Sequence, residues 1–166
     1  MSSFAEADAG IRQCYARFID AVWRKDGAEF ADQFTSDGEW KIAGMHMKGR
    51  EKIAEGCDFL LGRCKEIHLV LGHPIIEVDG EAALARINVT EITRMPDDLG
   101  YITTGIYYDR FQVEDGRWRF RWRHWNMKYR GPFDLTGHFT DTSDYGAFPG
   151  MPEWDEATYT KPAEVK

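Results

Sequence analysis

Several features that mark cofactor and metal sites are missing from this chain. Cysteine occurs three times in 166 residues, at Cys14, Cys57 and Cys64, with no CxxC pair, so neither a disulfide framework nor a thiolate zinc site is indicated. There is no GxGxxG or GxxxxGK[ST] loop to cradle a nucleotide phosphate, and no GxSxG elbow to present a serine nucleophile. His46, His68 and His73 fall at no HxH or HxxxH interval, so no metal ligand set is expected, and no cofactor. No apolar run approaches the roughly 20 residues of a membrane span. The start, MSSFAEADAG, lacks the basic and apolar stretches of a secretory signal, and a cytoplasmic location is expected. Positive charge is scarce: 21 Lys and Arg against 28 Asp and Glu leave a net charge of −7. That balance disfavours phosphate-backbone binding, even though Trp118 to Arg123 reads WRFRWR, and nucleic acid is not an expected partner.

What the chain does have is apolar and aromatic material in regular patterns. Hydrophobic residues make up 43% and aromatics 14%, enough for one core in a chain of this length. Ile11, Cys14, Tyr15, Phe18, Ile19, Val22 and Trp23 recur at helical spacing and predict an amphipathic helix over 4–24. Asp26-Gly27 ends it. Ala28 to Phe34 reads as a short second helix, Glu39 to Ala43 as a strand, and Gly49 to Leu61 as a third helix. Beyond it, strands are predicted over 66–71, 75–78, 82–93, 101–113 and 118–129, with Asp79-Gly80 and Asp115-Gly116 as hairpin signals.

Three helices followed by antiparallel strands give an α+β fold in which the helices cover the concave face of a curved, cone-shaped sheet. A ligand pocket is expected between the two layers. The domain is expected to span 1–134. The remainder, 135–166, reads as an irregular tail: four of the six prolines lie at or after Pro132, and Phe133, Phe139, Tyr145, Phe148 and Trp154 are too many aromatics for a freely solvated segment. It is expected to pack on the domain or on a neighbouring subunit.

Four stretches, FADQFTSDGEW, KGREKI, EIHLVLGHPIIEVDGEAALAR and DGRWRFRWR, together resemble the SnoaL-like branch of the nuclear transport factor 2-like superfamily. The group of scytalone dehydratase and hexachlorocyclohexane dehydrochlorinase is the part of that branch they resemble, over about residues 10 to 130. The resemblance implies a cone-shaped pocket and a homo-oligomer, trimer or dimer. It also implies that His68, the histidine of EIHLVLG, is a general base, a role that suits an imidazole near neutral pH. The family's partner aspartate near the end of the first helix is replaced, since AVWRKD puts Trp23 there. Asp20, Asp58 and Asn126 are other candidate partners for His68. Arg123 matches an arginine that contributes to the pocket in dehydrochlorinase-like members. Strand parity complicates it, because Arg119, Arg121 and Arg123 alternate with Trp118, Phe120 and Trp122 and both sets can face inward only across a bulge.

The remaining positions implied for the pocket are Trp23, Trp40, Arg63, Asn88, Thr90, Tyr101, Thr103 and Tyr107. Their phenols, hydroxyls, amide and guanidinium suit a substrate with several oxygens, and their rings would flank an aromatic one. His68, Tyr107 and Arg123 are the expected catalytic residues. The function they suggest is a cofactor-independent lyase that eliminates water or formaldehyde from a phenolic, lignin-derived type of small molecule. An isomerase or polyketide cyclase on the same fold, or a binding module without catalysis, are the alternatives.

Overall fold

Three helices and eight strands make up the described part of the chain, residues 3–134, 137–139 and 143–158 of a computed structural model. Helix α1 (Phe4–Arg24) begins at Ser3, whose hydroxyl accepts from the Glu6 backbone N–H while the Glu6 carboxylate accepts from that of Ser3, a reciprocal cap. It ends at Lys25 in the left-handed conformation. Its buried face carries Ile11, Cys14, Tyr15, Phe18 and Val22. Trp23 does not join them: it is 61% exposed, because five residues past Phe18 the helix has turned well off that stripe.

Helix α2 (Gly27–Asp32) is capped by the Asp26 carboxylate and packs on α3 (Arg50–Gly62). Between them lie β1 (Phe34–Ile42) and β2 (Met45–Lys48). Here the expected strand 39–43 proves longer at its start, and β2 was not expected at all. Polar Thr35, Ser36 and Asp37 conceal the first, and an Ala43-Gly44 turn with both φ angles positive conceals the hairpin, a geometry that sequence signals as Asn-Gly or Asp-Gly.

The remaining strands follow the predicted pattern: β3 (Glu66–Leu71), β4 (Ile75–Asp79), β5 (Ala82–Arg94), β6 (Gly100–Glu114) and β7 (Arg117–Gly131), with a short β8 (His138–Phe139) on β7. The sheet runs β2-β1-β7-β6-β5-β3, with β4 continuing the β3 edge along β5. All neighbours are antiparallel except β1 and β7. The sheet curves around α1 without closing, so one face looks onto the helices and the other outward.

Strand β7 changes face twice. Arg110 pairs Trp122 but Phe111 pairs Phe120, which leaves Arg121 as an extra residue. Thr104 pairs Tyr129 but Gly105 pairs Met127, which leaves Lys128 extra. Each bulge flips the alternation that follows it. Phe120 therefore faces the helices on one side of the first bulge and Arg123, Trp125 and Met127 face them on the other. Arg130 joins the same face only beyond the second bulge.

The outer face of β7 is covered by residues 143–158. The Trp154 ring lies against Trp122 and under the guanidinium groups of Arg110 and Arg121, and its carbonyl accepts from Lys41 Nζ and Trp122 Nε1. Tyr108 meets Tyr145 edge to face. The expectation for Phe139 falls on a side chain outside those described. No described helix is long and apolar enough to cross a membrane.

Under this cover His124 is 2% exposed, stacked on Trp122, with Nδ1 unpartnered. Burial, aided by the Lys41 ammonium, lowers its pKa to about 4. Because the folded pKa lies below the unfolded one, the unfolded chain binds the extra proton between about pH 6.5 and 4, and stability is lost as pH falls through that window. Unfolding midpoints at pH 7.5 and 5.0 should drop further for the wild type than for His124→Gln, by on the order of 1 kcal/mol. Equal drops would show that His124 titrates normally.

Candidate functional site

Cross-strand registers arrange the inner face of the sheet as rungs, and polarity changes with depth. At the closed end Phe111, Phe120 and Phe34 pack with Tyr15 and Phe18 of α1. The next rung is Asp109, Arg123 and Trp40. Then come Ile87, Tyr107 and Trp125, followed by Val89, Gly105 and Met127. The last of these needs glycine, because a Cβ on Gly105 would lie 2.6 Å from the Trp125 ring. Nearest the opening is Leu69, Glu91, Thr103 and Arg130.

The space between these rungs and the helices is a cavity of about 230 Å³. Its walls are largely apolar: Phe18 and Val22 from α1, Phe30 from α2, Cys57 and Leu61 from α3, Trp40, Tyr107 and Trp125 from the sheet. Polar groups cluster near the opening at Glu91, Thr103, Arg130 and Arg63. This is the composition of a small-molecule site, a mostly apolar hollow with a few convergent polar groups. No described cluster of three or more His, Cys, Asp or Glu side chains is gathered as a metal would require. The Cys57 thiol is pushed up to about 12 by burial, and that of Cys64 is raised for the same reason, so both line the cavity as neutral thiols.

The structure brings four of the expected residues to the wall: Trp40, Arg63, Thr103 and Tyr107. It places the others elsewhere. His68 is exposed on the outer face of β3, while its neighbours Ile67 and Leu69 point inward. Asn88 and Thr90 are turned outward in the same way, on either side of Val89. A strand alternates faces with a period of two, so these three side chains cannot reach the cavity their neighbours line. Trp23 is exposed at the end of α1. Tyr101 shares the inner parity but lies past the opening, under the Arg130 guanidinium. No histidine lines the cavity among the described residues.

Arg123 faces inward but is wholly buried beneath the cavity floor and does not line it. Its guanidinium lies 3.7 Å from the Tyr107 ring centroid and 4.0 Å from that of Phe18. Its Nε sits 3.1 Å from Asp109 Oδ1, and Asp109 Oδ2 accepts from the Tyr15 hydroxyl at 2.7 Å. Burial raises the Asp109 carboxyl to about 6, and Arg123 and Tyr15 hold it back from rising further. Arg123 therefore has no surface on the cavity itself. It acts on the cavity through Tyr107, whose hydroxyl burial keeps protonated while Arg123 draws its pKa partway back. Trp40 Nε1 lies beside that hydroxyl and is itself without an aligned hydrogen bond.

Two charged cavity residues, Glu91 and Arg130, were not among the expected ones. Glu91 keeps 26% of its side chain accessible, and burial raises its pKa, opposed by Arg130 and by the Thr103 hydroxyl. Arg130 Nη1 donates to Thr103 Oγ1 at 3.1 Å and lies 3.8 Å from Glu91 Oε1. Glu91 had a legible signal: it continues the inward series Ala83, Ala85, Ile87, Val89, and a carboxylate at an apolar position of a strand marks a site. Arg130 had none, since the Lys128 bulge alone turns it inward.

The profile of the SnoaL-like domain family matches residues 3–124. The chain belongs to this family. No curated protein matches it in sequence. Among solved structures it is similar to a candidate scytalone dehydratase from Novosphingobium aromaticivorans, at 19% identity and a TM-score of 0.69, covering 82% of this chain and 90% of that one. It is similar also to a hexachlorocyclohexane dehydrochlorinase from Novosphingobium barchaimii (18%, 0.72, 82% and 96%). A nuclear transport factor 2-like protein from Salmonella enterica matches at 20% and 0.68, over 74% and 92%. At these identities the likeness establishes the fold, which this SnoaL-like chain shares with all three.

Two outcomes follow from this geometry. Asp109→Leu leaves a guanidinium buried without its counter-charge and should cost about 3–5 kcal/mol in urea unfolding, while adding Arg123→Met should recover most of that loss. A single-variant cost below about 1 kcal/mol would rule out the buried pair. His68→Ala, on the exposed face, should leave the unfolding midpoint and ligand uptake at wild-type values; a loss of uptake would return His68 to the site.

Proposed function

We propose that the cavity is the active site of a lyase- or isomerase-type enzyme that moves a proton on a ring-bearing small molecule, with Glu91 as the proton-transfer group. The observation that carries this reading is a carboxyl with a raised pKa on an otherwise apolar wall, beside Arg130 and the Thr103 hydroxyl. Such a pKa brings a carboxylate closer to the working range of a general base. The Glu91 carboxylate would take the substrate proton, and Arg130 would hold negative charge as it develops on the adjacent oxygen. Tyr107 would donate a hydrogen bond to a second oxygen at the deep end, where Trp40 and Trp125 flank the ring. Within this reading the finer proposal is elimination of water or formaldehyde from an oxygenated aromatic. Return of the proton to another carbon would make it an isomerase.

A second reading, a binding module without catalysis, is favoured by the lack of a histidine on the cavity wall among the described residues. Mass spectrometry of purified protein with phenolic alcohols and aryl-propanediols separates the two. Loss of water or formaldehyde, reduced about 10²- to 10⁴-fold in Glu91→Gln, is the expected result. A product of unchanged mass but altered retention indicates the isomerase, a panel unchanged in both mass and retention favours the binding module, and undiminished turnover in Glu91→Gln removes Glu91 from its role.

A further inference from the structure

The opening of the cavity carries more positive than negative charge. Arg63, which caps α3, and Arg130 both line it, against the single carboxyl of Glu91. Arg130 lies 3.8 Å from Glu91, outside hydrogen-bond distance, and the raised Glu91 pKa weakens that compensation further. Arg63 has less: its guanidinium rests on the Phe59 ring, 5.7 Å from the centroid, and no described carboxylate stands within ion-pair reach. Most arginines of this chain, such as Arg12, Arg24, Arg50, Arg94, Arg117 and Arg121, lie within 4.0 Å of an Asp or Glu; of the other two that do not, Arg86 donates to the Gly146 carbonyl and Arg110 lies against the Trp122 and Trp154 rings, and neither lines the cavity. Phe59, 59% exposed, holds the Arg63 side chain against the helix instead of burying itself.

An uncompensated guanidinium beside an apolar hollow is a place for an anion that the hollow's occupant brings with it. We infer that the cavity takes its ligand as an organic carboxylate, with an apolar ring among Phe18, Phe30, Trp40 and Trp125 and the carboxylate on Arg63 at the opening. Carboxylate geometry matches the planar guanidinium fork, which can donate two parallel hydrogen bonds. The charge is present in the ground state, so Arg63 sets which molecules enter, whereas Glu91 and Arg130 act on the bound one. The long-range field works against anions, since a net charge of −7 repels them from the surface at large, and the opening is the local exception.

This inference rests on the cavity being the substrate site, and binding and turnover test the two separately. Tryptophan fluorescence or calorimetry on the full chain, with 3-phenylpropanoate and the uncharged 3-phenylpropanamide as probes, reads the preference directly. The acid should bind about tenfold tighter than the amide at low salt, and the advantage should shrink as ionic strength rises. In Arg63→Gln the preference should fall to within about twofold while amide affinity is kept, which also shows that the variant is folded. Equal binding of the two probes by the wild type, a preference that survives in Arg63→Gln, or no binding of either would overturn the inference. An Arg63-dependent acid preference without turnover of any ring-bearing acid would instead leave the inference standing and count against the catalytic reading.

Discussion

Strand β7 is covered on both faces, by α1 on one side and by residues 143–158 on the other, so every residue along it must suit one side or the other. Simple alternation cannot satisfy that demand for this sequence. Phe120 belongs with the ring cluster under α1, Trp122 belongs under Trp154, and Arg123 must meet Asp109. One extra residue at Arg121 reconciles the three, and a second at Lys128 brings Arg130 round to Thr103 and Glu91. The two bulges decide which arginines of an arginine-rich strand are interior, and with that the character of the cavity.

The interior arginines then have different tasks because their surroundings differ. Arg123 is closed in by the rings of Tyr15, Phe18, Tyr107 and Phe120 and matched to one carboxylate. Removing its water is offset only by that pair and by the faces of the rings, and its charge draws the Tyr107 pKa partway back. Arg130 is reached by solvent through the opening and meets Glu91 at a longer distance, which leaves both groups free to deal with a ligand. The apolar rung of Val89, Gly105 and Met127 separates the two stations, so the site has polar groups at both ends and a carbon-lined wall between.

The sequence by itself determined the elements and their order. Apolar spacing placed α1 at its observed ends, and the β-branched and aromatic runs placed β3 to β7 within a residue or two, because both signals come from burial of one face or stripe. Through the family resemblance it also marked Trp40, Arg63, Thr103 and Tyr107 as cavity residues, and parity raised the need for a bulge near Arg121. Hairpin β1–β2 was hidden because its turn is built from alanine and glycine in a conformation that its sequence does not advertise.

Only the tertiary structure decided which polar groups meet. A period-two alternation fixes the side of a residue relative to its neighbours but not which side is the interior, and this is why His68, Asn88 and Thr90 stand outside while Ile67, Leu69, Val89 and Glu91 stand inside. Bulges add a shift that pattern alone cannot locate, and Arg130 depends on one. Depth is a third quantity the chain does not spell out. Arg123 and Arg130 lie on one strand, and packing against α1 seals the first beneath the floor and leaves the second at the opening.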